Sequence, residues 1–537
     1  MAIIYVTPDG QPQWHDGRLI EGEDFQNAIY RAEPGDIVKL LPGVYEQPVV
    51  IRDKIAPADN PITIVGHSTT TLDGRRNPVR PPGIAEKEFY AFVKILNSRG
   101  IVLKNMTIQN VWPTAVYIEE SQHIRIDKLN LNGATYGIFA RGPTTEHLIV
   151  EHSSWIQDER IWDDVDWYDI HEAPNPRREL DGDFFRTSDI RGNVIIRHNF
   201  IAQAFNGVHF FAPELDDKGN PVEPGTFNTN VWVYRNTFTF IRDNAVEAEN
   251  TATNWWVFEN RIYNCHKWFA FERCDGGFLY IFANRGWFDR LPGPPGDCYT
   301  GGAVFKTNKI KARHEAFRLP QNPVYAFNNS WYVRSTYIKK GKLKNFHHFN
   351  NAIEYAKAEY HHDGVVQPGR KMIGIGGSDP VCDGPAEPDR SLTAAWGHLN
   401  ITFENDVCNH PDYPVGVNAQ GYPVRGTHAE PEFDSARIGE FGIVDTSPCH
   451  GTGISKTLDL VDGGTWTLPD DLSVGAMYYD EDKGEQGLYS PEALNCPDDA
   501  LPDEYAEEMK RQERVADQKA KEKVYYWNKV RAMKKVS

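Results

Sequence analysis

The chain has 537 residues, of which 40% are hydrophobic and 12% aromatic, so it can bury a large core. Its formal net charge of −18 argues against a nucleic-acid partner but does not exclude an anionic polysaccharide, which a local basic groove can hold. No apolar run approaches the roughly 18 residues of a membrane-spanning helix. The seven cysteines show no zinc or redox spacing.

The N-terminal region predicts a cap over about residues 20–50. Met1 to Val6 leads directly into a strand, with no secretory signal visible. Residues 25–32 form a short amphipathic helix pattern, and two short strand patterns follow at 37–40 and 42–45.

A ladder of short strands with alternating apolar residues follows, and its rungs recur about every 23 residues. Asn105 and Lys128 are 23 residues apart, and the intervals from Asn236 to Asn260 and from Asn260 to Asn284 are 24. A fixed period of this length indicates a solenoid, and period-2 alternation makes each rung a strand. Residues 1–480 are therefore predicted to form a single right-handed parallel β-helix of about 23-residue coils. The recurring asparagines are interpreted as stacked corner residues that stabilise the scaffold.

Four segments interrupt the ladder, at about 153–192, 212–228, 286–322 and 352–400. Insertions at solenoid turns often wall a groove on one face, although any single loop is equally consistent with solvated decoration. Aromatic faces and cations suit sugar rings. The candidate substrate-binding residues are Trp155, Trp162, Arg141 and Trp268.

The remaining residues, 481–537, form a tail with a charged helix pattern at about 503–535. We expect this helix to dock on the solenoid or on a partner subunit, which would make the protein a homo-oligomer.

A second strand in each coil carries the chemistry-bearing residues. Aligned by their alternation, these strands and their turns gather polar side chains on the outside of four central coils. A slip of one residue in the last two strands, 266–273 and 301–307, would exchange their faces. The patch comprises His209, Asp243, Glu247, Glu249, Lys267, Glu272, Arg273 and Lys306.

Several functions fit this patch. Surface ion pairs alone would explain it. As an enzyme, the chain would cleave a uronic-acid polymer by β-elimination, in which the carboxylate is neutralised, a base removes the C5 proton and an acid assists the leaving oxygen. Paired carboxylates would also support glycoside hydrolysis. A uronan C5-epimerase and a non-catalytic glycan-binding or structural solenoid, such as a virion spike or surface fibre, remain alternatives.

The chain resembles β-helix polysaccharide lyases, specifically the alginate and chondroitin lyase family, in its N-terminal cap, its closing segment near 431–453 and an exit strand at 474–478. The resemblance implies a Glu-x-Glu calcium site with an arginine one coil later, which here would be Glu247, Glu249 and Arg273, with Asn206 as a further metal ligand. The family's catalytic lysine is missing because residues 250–253 read Asn-Thr-Ala-Thr. Lys267 or Lys306 would have to replace it.

We therefore expect a carbohydrate-active protein. Ca²⁺ is its candidate cofactor, and no organic cofactor is expected. Its partner would be a polysaccharide or oligosaccharide. We expect an extracellular or periplasmic mature chain, with an intracellular or virion origin left open because no signal is visible.

Overall fold

The computed structural model describes residues 1–75, 90–159, 173–213, 222–288, 303–307, 319–333, 344–355, 400–410 and 446–468. It also describes shorter stretches at 161, 165, 167–171, 216, 337–339, 360–362, 365–367, 424–436, 439–443, 473–475, 477–480 and 484–487. All of them belong to the first of two compact units, Met1–Leu488; the second is Tyr489–Ser537. The predicted tail helix therefore lies outside the described residues.

Parallel strands coil into a solenoid, which confirms the predicted β-helix. Successive rungs pair in register about one coil apart: Val231 pairs with Trp255, which pairs with Leu279. Four strands turn the corner between the first and second faces and join them into one 23-stranded sheet. These strands are Arg99–Gln109, Gln122–Asn132, Ile401–Cys408 and Val424–His428.

The other strands of this sheet divide between the two faces. The first face contains Ile3–Val6, Ile37–Leu40, Ile62–Val65, Glu146–Glu151, Gly192–Arg197, Thr229–Tyr234, Thr253–Phe258, Gly277–Phe282, Val324–Phe327 and Phe346–Phe349. The second contains Gly43–Tyr45, Thr70–Asp73, Ser154–Ile156, Phe200–Ala204, Thr237–Ile241, Arg261–Tyr263, Arg285–Trp287, Ser330–Val333 and Ala352–Tyr355.

The third face is a separate ten-stranded parallel sheet. Its inward residues include Val208, Val246, Phe269 and Phe305, which are buried in the main hydrophobic core, so the residues that follow them face outward. Its strands are Val49–Arg52, Ala91–Leu96, Thr114–Glu119, Tyr136–Arg141, Asp183–Ser188, Asn206–Phe211, Asn244–Ala248, Lys267–Ala270, Ala303–Lys306 and Ile338–Lys339.

Short elements lie outside the three faces. The predicted capping helix is confirmed as Phe25–Arg31, and Asp24 caps it by accepting a hydrogen bond from the Asn27 backbone. A second helix spans Trp167–His171, and a 3-10 turn spans Arg178–Leu180. The hairpins pair Gln13–His15 with Arg18–Ile20, Tyr360–His362 with Val365–Gln367, Phe433–Ser435 with Glu440–Ile443, Thr457–Asp459 with Thr465–Thr467, and Met477–Asp480 with Gly484–Gly487.

The predicted insertions are shorter than the sequence suggested. Strands Ser154–Ile156 and Asp183–Ser188 fall inside the segment 153–192 and belong to the second and third faces. Arg285–Trp287 and Ala303–Lys306 likewise reach into the segment 286–322. The strand at 303–306 was expected within 301–307, whereas long polar stretches concealed Ser154–Ile156 and Asp183–Ser188.

The asparagine scaffold is confirmed as a buried row at the corner between the first and second faces. The backbone N–H of Asn236 donates to Oδ1 of Asn260 at 3.0 Å, and that of Asn260 donates to Oδ1 of Asn284 at 3.1 Å. In the earlier coils, Asn105 and Lys128 lie instead in the left-handed turn just before this row, with φ near 60°. The row satisfies backbone groups that a tight corner leaves unpaired.

Replacing Asn260 with alanine is expected to lower the free energy of unfolding by about 2 to 4 kcal/mol, because the buried donors of Asn236 lose their acceptor. Urea unfolding followed by tryptophan fluorescence measures the loss. The control is Asn130→Ala on an exposed strand position, where the Ser154 hydroxyl is the group among the described residues that loses an acceptor. Equal losses in the two variants would contradict a structural role for the buried row.

Candidate functional site

Charged side chains line up on the outer surface of the third face. In the ladder, Arg186 pairs with His209, His209 with Glu247, Glu247 with Ala270 and Ala270 with Lys306. We call these five residues the central row. Neighbouring strands are about 4.8 Å apart, so the row spans four adjacent steps of one surface. Three cations and one carboxylate therefore share one strip of the third face, in which Glu247 and Lys306 are buried.

The ladder fixes the register that the sequence left open in the last two strands, 266–273 and 301–307. Ala270 lies beside Glu247, and Lys306 lies beside Ala270, so Lys306 faces outward as expected. Strand Lys267–Ala270 ends there, so Glu272 and Arg273 lie in the turn that follows.

His209 lies between three carboxylates. Its Nδ1 is 3.3 Å from Asp183 Oδ1, and its Nε2 is 3.7 Å from Glu247 Oε2 and 3.6 Å from Glu249 Oε2. Burial would lower the pKa of His209, but the charges of Glu247 and Asp183 outweigh it and raise that pKa well above its usual value. The imidazole is therefore a cation at neutral pH.

Glu247 is the carboxylate of the central row, and its side chain is 5% exposed. Its Oε2 accepts a hydrogen bond from Asn244 Nδ2 at 2.9 Å, and its Oε1 is 3.8 Å from Lys306 Nζ. Burial raises the pKa of Glu247 to about 7, although the charges of His209 and Lys306 oppose this shift. Its carboxyl group is thus poised to exchange a proton near neutral pH.

Two lysines converge on Asp243, in the turn before strand Asn244–Ala248. Lys267 Nζ donates to Asp243 Oδ1 at 3.2 Å, and Lys306 Nζ is 3.8 Å from Asp243 Oδ2. Burial would raise the pKa of Asp243, but the charges of Lys306 and Lys267 hold it well below its ordinary value. Asp243 therefore stays ionised.

Lys306 also pairs with Glu272, whose Oε2 lies 2.8 Å from Lys306 Nζ. Burial would lower the pKa of Lys306, but Asp243, Glu272 and Glu247 raise it well above its ordinary value. A lysine held so firmly in its charged form is a poor base. The role of Lys306 as the replacement for a missing catalytic lysine is therefore not favoured, and that of Lys267 stays a prediction.

Sequence reasoning missed Asp183 and Arg186. Arg186 donates to Asp183 Oδ2 at 2.9 Å, and its NH1 atom is also 3.0 Å from His209 Nδ1. Burial would raise the pKa of Asp183, but Arg186 and His209 lower it below the ordinary value. Asp183 is fully buried, so its two charged neighbours compensate it. The alternation of Phe185, Arg186 and Thr187 could have indicated this strand, but it lies inside the segment 153–192 that was interpreted as an insertion.

A second missed pair lies beside the patch. His171, at the end of helix Trp167–His171, has its Nε2 3.8 Å from Asp181 Oδ1. Burial lowers the pKa of His171, and burial also raises the pKa of Asp181. Both residues lie between strands Ser154–Ile156 and Asp183–Ser188. This segment does not follow the 23-residue repeat, so the repeat could not point to them.

Two of the predicted calcium ligands, Glu247 and Glu249, come together with His209 as a third group that could hold a metal ion, so the calcium site stays a prediction. Asn206 Oδ1 accepts a hydrogen bond from the Asn244 backbone at 2.9 Å, and Asn244 in turn holds Glu247. One oxygen of Asn206 and one of Glu247 therefore already accept hydrogen bonds from Asn244. His209 is the residue that approaches both Glu247 and Glu249, and the ligand-type atoms of these three lie within 4.8 Å of one another.

Arg273 is exposed in the turn after strand Lys267–Ala270, with a φ of 59°. Its direction is not fixed by the ladder, so its predicted role as the arginine of the lyase pattern stays a prediction.

Two of the predicted substrate contacts are wrong. Trp155 and Trp268 are 0% and 1% exposed and pack in the main core, where they cannot meet a ligand. Trp155 donates through Nε1 to the Gly133 carbonyl, and Trp268 packs against Trp331. Short strands with large inward side chains explain both positions. Arg141 ends strand Tyr136–Arg141 and is partly exposed, whereas Trp162 lies outside the described residues.

The arrangement brings acid–base groups of opposite character together. Glu247 titrates near neutrality, Asp243 stays ionised, and Arg186, His209 and Lys306 are cations. The side chains of Arg186, His209, Glu249 and Glu272 are 23%, 13%, 14% and 19% exposed, so these form the edge that solvent reaches. Such a strip can bind an anion and move a proton beside it.

The architecture is similar to solved structures of carbohydrate enzymes. An alginate lyase of polysaccharide lyase family 6 shares 11% identity at a TM-score of 0.44, over 84% of this chain and 55% of its own. A pectate lyase shares 12% identity at a TM-score of 0.40, over 88% of this chain and 96% of its own. A lacto-N-biosidase from Eubacterium ramulus shares 13% identity at a TM-score of 0.36, over 70% of this chain and 67% of its own.

The chain spans 55% and 59% of the lengths of the two alginate lyase chains it matches. No protein-family model and no curated protein sequence matches the chain. The likeness therefore concerns the β-helix architecture, and any activity has to be argued from the side chains. Among the described residues, no helix has the length and apolar character needed to cross a membrane.

Proposed function

We propose that the chain cleaves a uronic-acid-containing polysaccharide by β-elimination on its third face. The observation that carries this proposal is the order of the central row, in which Arg186, His209 and Glu247 follow one another on adjacent strands. A cation, an acid and a base thus lie at the spacing of neighbouring groups on one sugar residue. We expect such an enzyme to work in an extracellular or periplasmic space.

The elimination needs the substrate carboxylate to be neutralised, because the C5 proton is otherwise too weakly acidic to leave. Arg186 carries a planar guanidinium that suits a carboxylate, and its side chain is 23% exposed. It is anchored from below by Asp183, at 2.9 Å, which fixes its position. We assign the neutralising role to Arg186.

Proton transfer falls to the next two residues of the row. Ionised Glu247 takes the C5 proton, the electron pair of that bond forms the C4–C5 double bond, and the C4–O4 bond breaks. The His209 imidazolium, 3.7 Å from Glu247, donates its proton to the leaving O4. The products are an unsaturated uronate end and a new reducing end.

The direct test is incubation of the purified protein with alginate, pectate and glycosaminoglycans. Ultraviolet absorbance from unsaturated uronate ends is expected with at least one of them, accompanied by new reducing ends. Reducing ends without that absorbance would overturn elimination, and silence across the panel would favour a binding or structural solenoid.

Hydrolysis is the second candidate, because Asp243 and Glu247 have pKa values shifted in opposite directions. Both carboxylates lie 3.8 Å from the same Lys306 Nζ, so their oxygens are at most twice that distance apart. A protonated Glu247 and an ionised Asp243 would then form the acid and base of a glycosidase.

The pH dependence of kcat/KM separates the two reactions. In the elimination Glu247 acts ionised, so kcat/KM is expected to fall about tenfold for each pH unit below about 7 and to level off above it. The basic limb then follows His209 at higher pH, because its pKa is raised. In hydrolysis Glu247 acts protonated, and kcat/KM would instead decline as the pH rises through about 7.

A further inference from the structure

The guanidinium of Arg186 is attached to the protein at one of its corners. Its NH1 atom donates to Asp183 Oδ2 at 2.9 Å and lies 3.0 Å from His209 Nδ1. Within the described residues, its NH2 and Nε atoms have no hydrogen-bond or ion-pair partner. Because Asp183 is buried and the Arg186 side chain is 23% exposed, the edge formed by Nε and NH2 is left for a ligand.

Two aromatic rings flank this guanidinium, one from each neighbouring strand. Its Cζ atom lies over the ring of Tyr136, 5.6 Å from the ring centre, and over the ring of Phe211 at 5.9 Å. Strand Tyr136–Arg141 precedes the strand of Arg186 in the sheet and strand Asn206–Phe211 follows it. The two rings therefore approach the cation from opposite sides along the solenoid axis, and both are partly exposed.

Both rings are supported from behind. Tyr136 packs against Phe139, with ring centres 5.4 Å apart, and Phe139 is only 7% exposed. The Phe211 carbonyl accepts a hydrogen bond from Asn228 Nδ2 at 3.0 Å, which holds the end of its strand. Because a cation is attracted to the faces of both rings, the guanidinium can turn little about its anchored corner. Its Nε–NH2 edge thus keeps one direction.

An arginine edge of this kind suits one chemical group in particular. Nε and NH2 present two parallel N–H groups at the separation of the two oxygens of a carboxylate, which accepts both hydrogen bonds and balances the charge. The methyl ester of the same acid is uncharged and offers one good acceptor, its carbonyl oxygen. It therefore loses one hydrogen bond and the ion pair, so the edge distinguishes a free acid from its ester.

We infer that Tyr136 and Phe211 are positioning residues for Arg186, and that the site they form accepts uronates with a free carboxylate and rejects their methyl esters. The inference rests on the proposed function for placing a uronate at Arg186. It goes further by naming the substrate class, unesterified polyuronates, and two residues outside the central row that select it.

The test titrates the wild-type protein with small uronates that it cannot cleave and follows their binding by nuclear magnetic resonance. The probes are the methyl glycosides of glucuronate, galacturonate, mannuronate and guluronate, which carry no sugar on O4, together with the methyl ester of each. At least one acid is expected to bind, and its ester should bind at least about tenfold more weakly. Equal affinity for acid and ester, or no binding of any acid, would overturn the inference.

Variants assign the selectivity to the edge and to the rings. Arg186→Lys keeps a charge beside Asp183 but has no planar fork, so the affinity for the acid should fall at least about tenfold. Tyr136→Leu/Phe211→Leu should lower it about three- to tenfold, whereas Tyr136→Phe, which keeps the ring, should stay within about twofold. Without the rings, Arg186→Lys should cost less than in the wild type, because a guanidinium that turns no longer presents one edge.

The matched control is Tyr30→Leu, which also removes a ring beside a cation, since Lys54 Nζ lies 6.0 Å from the centre of the Tyr30 ring. Its affinity for the acid should remain within about twofold of the wild-type value. If the double leucine variant does not fold, the two single leucine variants make the same comparison. Wild-type affinity in Arg186→Lys or in the folded leucine variants would contradict the inference.

Failure of this inference and failure of the proposed function give different results. Binding of a free acid but not its ester, without cleavage of any polymer, would refute β-elimination and leave the inference standing. Cleavage of a polyuronate together with equal binding of acid and ester would refute the inference alone.

Discussion

Replacing Glu247 with glutamine is expected to lower kcat by about 10²- to 10⁴-fold on whichever polyuronate the wild-type protein cleaves. Glutamine has the same shape, so it can still accept the 2.9 Å hydrogen bond from Asn244. It cannot take the C5 proton. The expected loss is therefore in the chemical step, with KM changed little, and steady-state kinetics on the cleaved polymer measures it.

The matched control is Glu259→Gln, which also removes one carboxylate from a partly buried ion pair. Glu259 accepts from Arg235 at 2.6 Å in a turn after a first-face strand, away from the third face. Its kcat should remain within about twofold of the wild-type value. Unchanged kcat in Glu247→Gln, in a protein with wild-type Tm, would remove Glu247 from the reaction.

The solenoid could be predicted because its cause is repeated in the sequence. A corner asparagine that bonds the next coil, such as Asn260, recurs at a constant interval, and alternation marks each rung. Both the asparagine interval and the alternation can be recognised in the sequence without knowing which residues far apart in the chain are in contact. The same logic placed His209 and Glu247 on adjacent strands, because strand pairing in a solenoid follows directly from the period.

The predictions that failed concern strand register and side-chain direction, which the 23-residue repeat does not determine. Strand Lys267–Ala270 has four buried residues in succession, so alternation could not fix its register, which only the pairing of Ala270 with Lys306 defines. Trp155 and Trp268 were interpreted as surface aromatics because composition does not tell which side of a strand faces the core. Arg186 was missed because a long interruption concealed its strand.

Replacing Lys306 with methionine is expected to lower the free energy of unfolding at neutral pH by about 3 to 5 kcal/mol. Its ammonium lies 2.8 Å from Glu272 and 3.8 Å from both Asp243 and Glu247, and its side chain is only 7% exposed. Methionine keeps most of the volume, so the loss reports on buried carboxylates left without their counter-charge. Urea unfolding of the wild type and variant gives the difference.

The physical cause can be isolated by removing a carboxylate as well. The double variant Lys306→Met/Asp243→Asn should recover part of the loss, because Asp243 is the largest contributor to the raised pKa of Lys306. Lys344→Met, which within the described part of the chain removes a contact to Gln321, should cost less than about 1 kcal/mol. In the wild type Lys306 holds the folded-state pKa of Asp243 low, so its stabilisation is present above the unfolded pKa of that carboxyl and disappears as the pH falls. The gap between wild type and variant should therefore narrow in acid, and a gap independent of pH would show that lost packing, not charge, explains the effect.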